Sequence, residues 1–312
     1  MPARKNRQRR AVKHTKPKNK NRSKKYLVLI LVFVFLGLIL VFLHRSTKYW
    51  SGEGKLRLVS PAENGDVVIS VFDPELDDIT TVIVPGNTQI KVARQMGIWK
   101  TRSLWKLGFD EGLGGKLLAE SLTHHMKLPV VAWGDEEAIG FSSQSVIQIV
   151  KTALLMTNTN LTFGDRIKIA LFAFGIQNTN MSTIDLRNTA YLSKTILPDG
   201  EEGYVVADTL PQKVAVIFSQ ESISKEGTRI RIIDRTINSN IAEELGETLQ
   251  VAGGKITSIT NESSDNTDCV VVGSNKFTVD YVADMFDCTK NYEKTANFDL
   301  EITIGEEFAK RF

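Results

Sequence analysis

The sequence predicts an α/β protein. It has a single N-terminal transmembrane helix, then an α/β domain with a central mixed sheet over 66–222, then a small split βαβ domain (β-α-β-β-α-β) over 228–312. Three observations predict this. A charge-free apolar run of eighteen residues follows a wholly basic tail. Beyond residue 65, β-branched runs alternate with segments whose apolar residues recur at helical spacing. The last 85 residues spell strand, helix, strand, strand, helix, strand.

Residues 1–25 carry twelve Lys or Arg and no acid, and Arg45 and Lys48 bring the count to fourteen by residue 50. That leaves twenty-five bases against all thirty-six acids over 51–312, a balance of −11. The net charge of +3 and the pI near 8.7 therefore belong to the tail. Bulk charge gives no support to nucleic-acid binding by an acidic body. The run 26-YLVLILVFVFLGLILVFL-43 spans about 27 Å as a helix, close to the thickness of a bilayer core. Bases on its N-terminal side orient the tail to the cytoplasm and the remainder outside, in a single-pass cell-membrane protein. A cleavable signal peptide would have a shorter core with small residues after it, whereas His44-Arg45-Ser46-Thr47-Lys48 follows here.

A linker over 44–65 contains one short apolar strand, 55-KLRLVS-60, among glycines and a proline. Next, 66-DVVISVFD-73 and 78-DITTVIVP-85 flank 74-PELD-77, the spacing of a hairpin. Helices are expected over 113–126, 144–155 and 163–174, with a short strand at 128–133. The segment 220-QESISKEG-227 closes this domain. In the last domain, strands fall at 229–234, 255–260, 268–273 and 299–305, with helices at 239–253 and 276–287. Ser239 is an N-cap candidate, and Gly253-Gly254 a C-terminal stop.

Familiar catalytic signatures are missing: there is no phosphate-binding GxxxxGK loop, no nucleophile elbow and no GxGxxG. His124 and His125 are adjacent, so on a helix they diverge by about 100° and cannot share one ion. Neighbouring carboxylates such as Asp77-Asp78, Glu136-Glu137 and Glu201-Glu202 sit in turn-like contexts and read as solvated charge. Cys269 and Cys288 are the only cysteines. The strand and helix between them travel similar lengths, which allows a disulfide, while two buried thiols fit equally well.

Two stretches, 66-DVVISVFDPELDDITTVIVPGNTQIKV-92 and 100-KTRSLWKLGFDEGLGGKLLAESLTHHMKLPVVAW-133, resemble the LytR-CpsA-Psr domain of bacterial cell envelopes. The stretches 229–257, 268–274 and 299-DLEITIGEEF-308 resemble the small C-terminal domain appended to such proteins. The resemblance implies an anchored envelope protein. Active relatives move a glycopolymer from a polyprenyl-pyrophosphate carrier to peptidoglycan with the help of Mg²⁺. Their arginines hold phosphate oxygens through paired donors, and aspartates place the metal. Where the family has Pro-Arg-Asp-Thr, this chain has Pro85-Gly86-Asn87-Thr88. Where it has Arg-Ser-Asp-Thr, this chain has Asn64-Gly65-Asp66-Val67, keeping only the Asp.

The leading expectation is therefore a non-catalytic, membrane-anchored protein that needs no cofactor and binds a wall polymer, a lipid-linked carrier or an envelope protein. A working phosphotransferase is the alternative, with Mg²⁺ and with Arg94, Arg102 and Asp66 as catalytic candidates. Lys100, Arg102, Lys106 and Asn87 are the ligand-binding candidates around the turn. A third expectation is a structural assembly protein that docks through residues 228–312.

Overall fold

A computed structural model describes residues 26–30, 32, 37 and 46–312, apart from 208, 238 and 239. Residues 26–30, 32 and 37 are helical. Among the described residues no helix is long and apolar enough to cross a membrane. The basic tail, most of the apolar run 26–43 and the Ser239 cap all lie outside the described residues. Residues 46–312 form one compact unit.

That unit is mixed α/β and holds three sheets. The hairpin of β2 (Val67–Asp73) and β3 (Asp78–Val84) forms where the β-branched runs place it, paired from Val67↔Val84 to Asp73↔Asp78. Every residue of β2 is buried, so both of its faces are covered. The stretch expected to be a linker contributes β1 (Leu56–Pro61), which pairs antiparallel with β2 and parallel with β6 (Ala132–Trp133). Five of its six residues are buried, which no tether would be. The expected strand over 128–133 is reduced to the two residues of β6. With β7 (Met181–Asp185) the order is β6-β1-β2-β3-β7, a mixed sheet.

Helices cover both faces of this sheet. On one side α1 (Thr101–Asp110) and α2 (Lys116–His125) bury Leu104, Leu117, Leu118 and Leu122 against Val59, Val67, Ile69 and Val82. On the other, α3 (Val146–Leu155) and α4 (Phe163–Gly175) bury Ile149, Ala153, Ile169 and Ala173 against Leu58, Phe72 and Ile79. The inward stripe of α3 and α4 is packed core. A smaller sheet has order β5-β4-β9-β8: β4 (Thr88–Lys91), β5 (Ile98–Lys100), β8 (Leu192–Ile196) and β9 (Glu202–Val206). It extends the chain just beyond the Pro85 turn.

The C-terminal elements appear where expected, but their arrangement is not the split one. The strand β10 (Arg229–Asp234), helix α7 (Asn240–Val251, after short helices α5, Gln212–Phe218, and α6, Glu221–Glu226) and strand β11 (Lys255–Asn261) make an ordinary βαβ unit. Its two strands are adjacent and parallel. With β12 (Cys269–Gly273), β13 (Thr289–Asn291) and β14 (Leu300–Ile304) the order is β11-β10-β14-β12-β13. Ile230, Ile232, Val271, Leu300 and Ile302 share one core with α7 and with α8 (Lys276–Phe286), so both helices lie on one face. Cys269 and Cys288 are joined in a disulfide, with Cα atoms 4.9 Å apart.

The two parts are locked together by polar groups. Arg57, in the middle of β1, is fully buried. Its Nη1 donates to Tyr281 Oη at 2.6 Å, and its Nη2 to the Phe218 carbonyl at 2.7 Å. Burial lowers its pKa, against the opposing pull of Tyr281 and Asp73. Gln220, in the stretch read as a domain boundary, is also buried and accepts from Lys55 N at 3.0 Å.

Candidate functional site

The Pro85-Gly86-Asn87-Thr88 segment is a tight turn, with Thr88 N donating to the Pro85 carbonyl at 3.0 Å. It connects β3 of the main sheet to β4 of the smaller one. Thr101 Oγ1 donates to Pro85 O at 2.8 Å and Arg102 N to Gly86 O at 3.0 Å, so the N-terminus of α1 is fastened to the turn. Asn87 Nδ2 donates to the Glu202 carbonyl at 2.9 Å, fastening the other side to β9. Of the expected ligand-binding residues, Asn87 is therefore a structural clasp.

Asp66 faces the turn from the start of β2. Its Oδ1 accepts from Gly86 N at 2.9 Å and its Oδ2 from Asn64 Nδ2 at 3.1 Å. Oδ2 also pairs with Arg187, whose Nε meets Asp185 at 3.0 Å. Arg187 escaped the sequence reading because it lies 121 residues from Asp66. Lys100 forms ion pairs with Asp199 and Glu201, each at 2.5 Å, and Arg102 Nη2 lies 3.2 Å from the same Glu201. Hydrogen bonding to Lys100 lowers the pKa of both acids. Glu201, read from sequence as one of a solvated pair, thus occupies the place between two cations where an anion would bind.

The remaining candidates lie elsewhere. Arg94 makes a two-pronged bond to Glu120 on α2, with both contacts at 2.8 Å, and that bond raises its pKa. Lys106 is exposed one turn beyond Arg102 on α1. The structure thus brings Asp66, Asn87, Lys100 and Arg102 around one turn and leaves Arg94 outside it.

Position 86 itself is closed. A Cβ there would meet the Gly65 carbonyl oxygen at 2.0 Å and its carbon at 2.7 Å. Both are backbone atoms, so a side chain at 86 requires the chain to part. Asp66 already accepts from the Gly86 N–H on Oδ1 and from Asn64 and Arg187 on Oδ2, three of the roughly four acceptor positions of a carboxylate. Among the described residues there is no group of three or more His, Cys, Asp or Glu placed to hold a metal.

Of two larger cavities, one reaches Asn64 beside the turn and the other does not. One of about 790 Å³ lies between the main sheet and α3, lined by Glu63, Glu136 and Glu137 as well as Val68 and Ile83. Lys151 and Ile139 line it as well, so the cavity carries both charge signs and apolar wall. Another, of about 540 Å³, is lined by His124, His125, Lys91, Lys127, Glu244 and Glu247. His124 stacks on Phe312 at 4.0 Å, and burial lowers its pKa to about 3.

No family model matches the chain, and no curated protein matches it. Among solved structures it is similar to B. subtilis TagV, at 11% identity and a TM-score of 0.38 over 53% of this chain and 95% of that one. It is similar to B. subtilis TagT at 14% identity and a TM-score of 0.33, over 54% and 90%. A TagT structure described as a LytR-CPS2A-psr family protein with bound octaprenyl pyrophosphate lipid matches at 12% identity and 0.32, over 53% and 88%. At identities and TM-scores this low the likeness assigns neither a family nor an activity.

Proposed function

We propose that this chain is a membrane-anchored, extracytoplasmic protein of a bacterial cell envelope whose N-terminal α/β part is a degenerate LytR-CpsA-Psr-like domain without transferase activity. The family reading rests on the sequence pattern of the strand pair, the turn and the following helix. The anchor rests on the run 26–43 and its basic flank.

One observation carries the loss of catalysis: at the turn the family's arginine and second aspartate are replaced by Gly86 and Asn87, and the charges that remain nearest it, Asp66, Lys100 and Arg102, are paired within the protein. Gly86 has no room for the family's arginine, because the Gly65 carbonyl stands where its Cβ would be. Arg187 and Asn64 engage Asp66, Asp199 and Glu201 pair with Lys100, and Glu201 lies 3.2 Å from Arg102. Charge developing on a transferred phosphoryl group needs free cations, each worth orders of magnitude in rate. Here a ligand would first have to displace the protein's own carboxylates. The protein's role is then recognition of a wall polymer, lipid-linked carrier or envelope protein through surfaces other than this turn.

Isothermal titration with a polyprenyl pyrophosphate and Mg²⁺ tests this. The expected result is no polymer transfer, with any saturable heat left unchanged by Arg102→Ala and by omitting Mg²⁺. Low-micromolar binding abolished by Arg102→Ala, together with turnover, would restore the phosphotransferase reading.

A further inference from the structure

The helical pair α3–α4 turns one face to the main sheet and the other outward, and its outward face is apolar. On α3, Ile147 is 79% exposed, Val146 and Leu155 59% and Leu154 56%; on α4, Leu171 is 65% exposed. These are not scattered residues. Ile147, Val150 and Leu154 follow each other at spacings of three and four on α3, and Phe163, Leu171 and Phe174 are exposed along α4, with Ile167 between them packed on the core. Both helices pack on the same sheet face, so both stripes look the same way. A contiguous apolar surface of this kind on a soluble body marks a place of interaction.

Two further observations choose the occupant. The first is where the chain enters. The carboxylate of Asp165, in the first turn of α4, accepts from the backbone N–H of Lys48, Tyr49 and Trp50 at 3.1, 3.2 and 3.1 Å. Trp50 also packs edge-on to Phe172 of α4, with centroids 5.4 Å apart. Leu43, the last residue of the apolar run, is five residues from Lys48, and five residues span at most about 18 Å. Asp165 thus ties the start of α4 to residues 48–50, five residues along the sequence from the end of the apolar run.

The second is charge. From 138 to 184 the only acid is Asp165, and it is buried with its oxygens engaged. The same span carries Lys151, which borders the cavity shared with Glu136 and Glu137. It also carries Arg166 and Lys168, which donate to the Met156 and Ser51 carbonyls at 2.7 and 2.8 Å with no acid facing them among the ion pairs of the described residues. Residues 51–312 as a whole have a balance of −11. An apolar stripe edged with bases on an otherwise acidic body is complementary to anionic lipid headgroups over an acyl boundary.

We infer that the outer face of α3–α4 rests on the anionic surface of the membrane that anchors the chain, fixing the orientation of the 46–312 unit. This rests on the anchor reading above and adds a second, reversible membrane contact to it.

The test uses the full chain reconstituted in phosphatidylglycerol–phosphatidylcholine vesicles. Ile147→Cys is labelled with an environment-sensitive fluorophore under conditions that keep Cys269–Cys288 joined. Leu76→Cys, at the exposed tip of the β2–β3 hairpin, is the control. Brominated lipid should quench the label at 147 several-fold more than the label at 76. Reversing Lys151 and Lys168 to Glu should abolish the difference. Equal quenching at the two sites in a chain that resists alkaline extraction overturns the docking and leaves the anchor standing. A chain released by alkali overturns both. Self-quenching between labels at 147 in unbrominated lipid, diluted out by unlabelled protein, identifies a second copy as the occupant and also overturns the proposal.

Discussion

Replacing Gly86 by Ala asks whether the turn is sterically shut. The new Cβ would lie 2.0 Å from Gly65 O, whereas contacts below 3.0 Å essentially do not occur, so the two backbones must separate by at least 1 Å. Neither side is free to move. Gly65 N donates to Ala62 O at 2.9 Å, while Gly86 is held by Asp66 Oδ1 at 2.9 Å and by Arg102 N at 3.0 Å. Overpacking of this kind costs about 1–3 kcal/mol. Stretching two hydrogen bonds, one of them to a carboxylate, adds about 2 kcal/mol. A loss of about 4 kcal/mol corresponds to a fall in Tm of roughly 10 °C for a unit of this size. Thermal unfolding of the detergent-solubilised chain, followed by far-UV circular dichroism, measures it. Gly175→Ala is the reference, because a Cβ there meets nothing within 4 Å. It should leave Tm unchanged or raise it slightly. A Gly86→Ala melt within about 2 °C of the parent would refute the closed turn. Transfer activity gained by Gly86→Arg with Asn87→Asp would likewise refute the closed turn, while transfer by the parent chain would refute the functional conclusion.

Two more predictions follow from buried chemistry. Opening the Cys269–Cys288 bridge, by phosphine reduction or by replacing both residues with Ala, frees a loop of 19-residue separation and should cost about 3 kcal/mol in urea unfolding. A change below about 1 kcal/mol would show that the bridge adds no constraint. Stability should also fall on acidification. Burial is the main cause that lowers the pKa of His124 to about 3 and of His125 to about 4. The unfolded chain takes up protons near the ordinary histidine value of about 6.5, so between there and the folded values it binds more protons than the native state. The stabilisation is fully present above pH 6.5 and is lost as pH falls toward 3, by on the order of 4 kcal/mol for His124. His124→Gln should flatten that slope in urea titrations at several pH values; an unchanged slope would assign it to other groups.

Much of the fold was legible because local pattern and tertiary role coincide. The β-branched run 67–71 and the Pro74 turn give the hairpin its register, and the apolar spacing of α3 and α4 gives their inward stripes. In the C-terminal part the alternation of Arg229–Asp234 is the alternation of burial itself. Failures came where the deciding contact is distant. A charged residue flanked by Gly54 and Pro61 makes β1 look like a tether, yet Arg57 is buried by partners 161 and 224 residues away. Strand order was unreadable because a β-α-β-β-α-β string is shared by split and ordinary crossovers. At the candidate site Asp66 and the altered turn were visible, whereas Arg187 and Glu201 were not. Each is an ordinary surface charge until the fold brings it to its partner.

The same long-range locks bear on the reading that residues 228–312 are a detachable docking module. Removing them would strip Tyr281 from Arg57 and open the guanidinium side of β1 to water. It would take Thr248 from the Thr123 carbonyl, and the Phe312 ring and carbonyl from His124. Baring the packed surface beneath Tyr281, Phe286 and Phe312 costs about 25 cal/mol for each Å² of apolar area exposed, which over a few hundred Å² is comparable to the whole margin by which a domain is stable. A truncated chain that fails to localise would therefore report misfolding as readily as loss of a partner. The open face of the C-terminal sheet is the place to separate the two. There Arg231 meets Glu301 at 3.8 Å and lies over Phe298, so charge reversal at Glu301 alters the surface without touching the core shared by α7 and α8.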